Sequence, residues 1–114
     1  MRVFKVFTAD QWAALARDGE TAGAPVDLAD GFIHFSTAAQ LPGTLAKHFA
    51  GQAGLVLAAV DPAPAGEALR WEPSRGGDLF PHLYRTLRRD EVLWTLPLPL
   101  GPDGGHAIPP EAQP

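Results

Sequence analysis

Apolar and polar positions alternate or recur along this chain in a way that marks out short elements. Val3 to Phe7 alternates as a strand, with Val3, Lys5 and Phe7 on one face and Phe4 and Val6 on the other. Thr8 and Gln11 then form a Thr-x-x-Gln capping box, Trp12, Leu15 and Ala16 make a helical stripe, and Gly19 is a natural stop. Glu20 to Asp30 shows no period and reads as a loop whose Asp30-Gly31 turn delivers the chain into a strand at Phe32 to Ser36. Thr37 and Gln40 make a second capping box, ahead of a helix from Pro42 to about Ala50 that buries Leu45 and Phe49 and closes at Gly51.

Leu55 to Val60 is an unbroken apolar run ended by Asp61-Pro62, the mark of a central strand covered on both faces. Pro62 to Gly66 reads as a loop, and Leu69 and Trp71 alternate with Arg70 and Glu72 as in a half-buried strand. A tight loop follows at Pro73 to Asp78, then an extended or irregular stretch from Leu79 to Leu87, a charged turn at Arg88 to Glu91, and a last strand from Val92 to Leu96. Pro97 and Pro99 end that strand early or put it at a sheet edge. These elements predict an α+β fold: a compact, mainly antiparallel twisted sheet with two short helices. Residues 1–100 are expected to form one domain and residues 101–114 a flexible Pro/Gly-rich tail.

Composition narrows the function classes. The 114 residues suit one core rather than two, and 46% hydrophobic content favours folding over disorder. A formal net charge of −4 argues against general nucleic-acid binding, and no cysteine is present for disulfides, thiolate metal sites or a thiol nucleophile. There is no long apolar run to span a membrane and no signal-like N-terminus, so a cytoplasmic protein, monomer or weak dimer, is expected. No histidine pair has close ligand spacing, and no metal site is expected.

Three groups of residues carry candidate chemistry. His34 and Ser36 share a strand face, roughly 7 Å apart, so that an imidazole titrating near neutrality lies beside a hydroxyl. The competing reading is a structural histidine and a helix-capping serine. Five of seven arginines fall between Arg70 and Arg89, opposed only by Glu72 and Asp78. Among them Arg75 precedes Gly76-Gly77, a pairing of guanidinium and bare backbone suited to an anion. The plainer reading, favoured for Arg88 and Arg89, is a solvated face. Phe80-Pro81-His82-Leu83-Tyr84 brings His82 and Tyr84 to one face if extended, ready to line a flat pocket, while Phe80 and Leu83 fill the core.

The strings Asp30-Gly31-Phe32-Ile33-His34-Phe35-Ser36-Thr37, Lys47-His48-Phe49-Ala50-Gly51, Leu69-Arg70-Trp71-Glu72 and Leu79-Phe80-Pro81-His82-Leu83-Tyr84 together resemble the bacterial family known as domain of unknown function 952. That family is in turn distantly similar to the ADP-ribosyltransferase and RNA 2′-phosphotransferase fold. The resemblance implies an ADP-ribosyltransferase-like architecture, with NAD as the cofactor to test and Glu91 as the nearest match to a glutamate near the last core strand. The first strand departs from that pattern, since Lys5 stands as its one polar residue where a histidine or arginine holds the nicotinamide ribose.

The leading expectation is a pocket for a small-molecule anion or nucleotide. His34 and His82 are its candidate catalytic residues, and Ser36, Thr37, Trp71, Arg75, Gly76, Gly77 and Tyr84 its candidate ligand-binding residues. Glycosyl or ADP-ribosyl transfer is the activity such a pocket implies. Two other readings stand beside it: a non-catalytic binding or protein-interaction module, and a metal-free hydrolase using His34 and His82 as an acid–base pair.

Overall fold

The computed structural model describes residues 1–114, with the side chain of Arg75 outside the described residues. The chain opens with β1 (Val3–Phe7), whose five residues are all buried, and α1 (Ala9–Asp18). Thr8 and Gln11 close the capping box reciprocally, and Gly19 ends the helix in the left-handed region with its N–H on the Leu15 carbonyl. A two-residue strand β2 (Glu20–Thr21), helix α2 (Pro25–Asp30) and a short strand β3 (Ile33–His34) follow. Helix α3 (Leu41–His48) leads to β4 (Leu55–Val60), β5 (Leu69–Pro73), β6 (Leu79–Leu83), β7 (Leu87–Arg88) and β8 (Val92–Leu98).

The pairing is antiparallel throughout the named strands: β1-β4-β8 in one sheet, β3-β6-β5 in a second, and β2 with β7 in a ribbon. This is an α+β fold of mostly antiparallel sheets with few short helices. β4 is central because both its faces are apolar. Ala58 and Val60 enter a core with Val3, Phe7, Leu15, Ile33 and Leu83 on one side, while Leu55, Leu57 and Ala59 enter a core with Phe4, Val6, Leu41 and Leu45 on the other.

A backbone bridge between the two sheets positions the site. After β3 the chain leaves β6, where the Phe35 N–H donates to the Pro81 carbonyl at 3.0 Å, and crosses to β1. There Ser36 exchanges both backbone hydrogen bonds with Phe4, at 2.8 and 2.9 Å. His34 is thus carried to the seam beside Lys5.

Several expectations need correcting. The segment Glu20 to Asp30 is not a loop; it holds β2 and α2, so there are three α-helices rather than two. The strand predicted over Phe32 to Ser36 shrinks to Ile33–His34 plus the isolated bridge at Ser36. The loop expected at Pro62 to Gly66 overlaps a 3-10 segment, Ala63–Ala68, which Pro62 precedes. The last strand does lie at an edge, but it runs on through Pro97 to Leu98, with Pro97 opposite Val56. The segment 101–114, expected as a flexible tail, instead folds back. His106 Nε2 meets the Gln52 carbonyl at 2.7 Å, and Ala112 is 1% exposed in the core beside Leu98.

Candidate active site

His34 and His82 face each other as direct partners across β3 and β6. Their ring centroids are 5.3 Å apart and the rings meet edge to face. Phe32 lies against both, stacked on His82 at 4.1 Å and tilted against His34 at 4.6 Å.

Each imidazole is backed by a carboxylate. The Asp27 carboxylate meets His34 Nδ1 at 2.6 Å and also accepts from the His34 backbone N–H at 3.0 Å, the Ala24 N–H at 2.7 Å and Lys5 Nζ at 2.8 Å. Asp27 and Lys5 are both buried. Burial alone would push the Asp27 carboxyl up, but hydrogen bonds from the His34 ring and the charge and hydrogen bond of Lys5 overcome it and hold the group at about 2. Burial pushes the Lys5 ammonium below its ordinary value, with Asp27 opposing the change. Lys5 therefore serves first as the buried countercharge that keeps Asp27 ionised behind His34.

The other nitrogen of His34, Nε2, contacts Asp30 Oδ2 at 3.0 Å. A carboxylate only accepts, so both ring nitrogens of His34 are satisfied when both carry hydrogen. His82 is wired differently. Its Nδ1 donates to Glu72 Oε1 at 2.8 Å, while Nε2 is buried with no hydrogen-bond partner among the described residues. The Tyr84 hydroxyl donates to the same Glu72 oxygen at 2.7 Å. The bonds from Tyr84 and then His82 lower the Glu72 pKa, and Glu72 in turn raises that of Tyr84.

The pair borders a cleft of about 520 Å³. Phe4, Val6, Phe35, Phe49 and Phe80 supply its apolar surface; Lys5, Asp30, His34, Ser36, Thr44, Lys47 and His82 supply the polar part. A cavity of this size and mixture suits a small organic ligand with one charged end. Among the described residues no cluster of three or more His, Asp or Glu side chains is arranged to hold a metal ion. No helix is long and apolar enough to cross a membrane.

Of the residues singled out from the sequence, His34, His82 and Ser36 come together at this cleft. The Ser36 hydroxyl is 2.8 Å from that of Thr44 on α3. The Thr37 hydroxyl accepts from the Gln40 N–H in a helix cap instead. Trp71 is 38% exposed and projects from β5 opposite to Arg70 and Glu72, away from the histidines. Tyr84 lines a second hollow of about 280 Å³ with Phe32, Leu28 and Arg85. Gly76 and Gly77 do adopt positive φ, but the Gly77 N–H is engaged by the Ser74 carbonyl at 2.8 Å. The Arg75 guanidinium lies outside the described residues. Glu91 holds Arg85 through two hydrogen bonds of 2.8 and 2.7 Å and does not border the cleft.

Sequence reasoning did not nominate Asp27, Asp30, Phe32, Glu72 or Lys5 as site residues. One local signal pointed to Lys5: a lysine between Val3 and Phe7 on a core-facing strand face needs a buried acid. Nothing local distinguishes Asp27 from the neighbouring acidic residues.

Fold and site together define an α+β protein with a carboxylate-backed histidine pair at the seam of two antiparallel sheets. The chain belongs to the family described as protein of unknown function (DUF952), which matches residues 6–95. It is similar to the crystal structure of protein CC0527 from Caulobacter crescentus, at 46% identity over 98% of each chain with a TM-score of 0.94. The solution NMR structure of CC0527 aligns at 49% identity over 91% of this chain and 90% of that one, with a TM-score of 0.83. No curated protein matches the chain.

Proposed function

We propose that the cleft binds a phosphate-bearing, nucleotide-like small molecule, and that His34 and His82 hold and transfer protons on it. The observation that carries this reading is the facing pair of imidazoles wired for opposite duties. His34 sits between two carboxylates, one at each ring nitrogen, an arrangement suited to a ring that donates to an anion. His82 spends its N–H on Glu72 and keeps Nε2 as a lone-pair acceptor. A donor and an acceptor side by side are what general acid–base work requires. Buried nitrogens without a partner are rare in proteins and concentrate where chemistry needs them. Ligand entry has to open that nitrogen toward the cleft.

The apolar wall suits a flat ring, and Lys47 adds positive charge at the rim. Glycosyl or ADP-ribosyl transfer from NAD is the finer form that the family resemblance suggests. With Thr37 engaged in a helix cap and Ser36 on Thr44, acid–base work on a bound ligand by the two histidines is the form these contacts support.

Isothermal titration with inorganic phosphate, adenosine 5′-phosphate, ADP-ribose and NAD tests the reading. Binding of at least one phosphate-bearing probe is expected, weakened about tenfold or more in His34→Ala through loss of a charge-assisted bond. Silence from a folded sample across the panel sinks it and leaves a non-catalytic interaction module.

A further inference from the structure

The two carboxylates on His34 are not equivalent. Asp27 has no exposed side-chain surface and is pinned by Lys5, two backbone N–H groups and the ring itself. Asp30 makes its contact from the last residue of α2, with its side chain 47% exposed. Water stands ready to solvate it if it swings away, and an ion pair so exposed has a small net strength. One partner of His34 is therefore permanent and the other exchangeable.

We infer that Asp30 is a built-in competitor for the anion subsite of this cleft, occupying the place on His34 Nε2 that a ligand's phosphate takes. The inference rests on the proposed function and deepens it. Asp30 and His34 both border the cleft, so an incoming anion that reaches Nε2 must replace that carboxylate. A second observation marks the same spot as a ligand's place. The neighbouring ring, His82, has a buried Nε2 without a partner among the described residues, which a hydroxyl of an arriving ligand satisfies.

Competition of this kind sets specificity by charge. A tethered carboxylate acts at an effective concentration in the millimolar range, so a free carboxylate of equal charge gains nothing by replacing it. A phosphate dianion carries more charge and more acceptor oxygens to the same N–H, with Lys47 at the rim to meet the excess. The cleft then discriminates phosphate esters from simple carboxylic acids without a dedicated phosphate loop.

The test titrates the full chain, Asp30→Ala and Asp30→Asn with inorganic phosphate and with acetate near neutral pH, following heat and the ¹⁵N shifts of the His34 ring. Phosphate is expected to bind Asp30→Ala about tenfold more tightly than the parent, from release of a surface ion pair and removal of a repelling charge. Acetate binding should appear in Asp30→Ala and be missing from the parent. Asp30→Asn should fall between them, because its amide oxygen still accepts from Nε2. If the parent binds phosphate and Asp30→Ala binds it equally or less well, the competitor role is overturned while the proposed function stands. If neither the parent nor Asp30→Ala binds inorganic phosphate, the competitor role falls, and silence with adenosine 5′-phosphate, ADP-ribose and NAD as well takes the proposed function with it.

Discussion

Asp27 is the residue on which the site's electrostatics turn. It is the buried acceptor for an ammonium, an imidazole and two backbone N–H groups. Asp27→Asn leaves Lys5 buried against a neutral amide, and truncating one partner of such a pair costs about 3–5 kcal/mol. Urea unfolding at neutral pH should show a loss of that order. The same carboxyl sets an acid limb. Its folded-state pKa of about 2 lies below the ordinary 3.8, so its stabilisation is complete above the ordinary value and drains as pH falls toward the folded one. Between about pH 4 and pH 2 the parent should lose roughly 2 kcal/mol that Asp27→Asn never had, since a tenfold change in proton affinity is worth ~1.4 kcal/mol. Equal acid limbs in the two proteins count against this account. None of it is local in sequence: Lys5 and Asp27 stand 22 positions apart, and the pattern on either side announces neither partner.

Among the elements, α2 matters most to the site and was least legible. Its six residues carry two large apolar side chains, Val26 and Leu28, and these are 54% and 62% exposed, while its one buried residue is Asp27. A helix that buries a carboxylate instead of an apolar stripe has no periodic signature. By contrast α1 shows both its capping box and its stripe, and β4 shows its two-sided burial. Trp71 failed the other way. Its alternation resembles a half-buried strand, yet β5 is the edge of its sheet and the indole stays exposed. Two glycines make α2 possible and predict unequal costs. At Gly23 (φ +112°) a Cβ would lie 2.5 Å from the Asp27 carboxylate and from its Cβ; at Gly31 (φ +86°) it would meet nothing within 4 Å. Gly23→Ala should lose about 3 kcal/mol from strain and overpacking, and Gly31→Ala about 1 kcal/mol from backbone strain alone. Matched thermal melts check the order, and equal losses would count against the close approach of Gly23 to Asp27.

Across the fold, the two sheets pack on a shared core and are bridged by backbone hydrogen bonds where the chain passes from β3 to β1, and this makes His34 and Lys5 neighbours. The C-terminal segment contributes to the other core through Ala112 and Ile108, beside Leu41, Leu45 and Leu98. Deleting residues 101–114 should therefore lower Tm by about 5 °C, the shift expected for the loss of roughly 1 kcal/mol from a domain of this size. A truncated chain that melts with the parent would restore the picture of a free tail.

The amino-acid order alone was enough to establish the α+β class, the first strand and helix, the central strand, and His34 and His82 as residues of interest. Those features rest on periodicity, capping and side-chain chemistry, which are properties of neighbours along the chain. The partners of the two histidines, the burial of Lys5 and Asp27, and the separation of Thr37, Trp71 and Tyr84 from the cleft were settled by folding. They depend on strand order, on which edge a strand occupies and on where two sheets join, and these are relations between residues far apart along the chain.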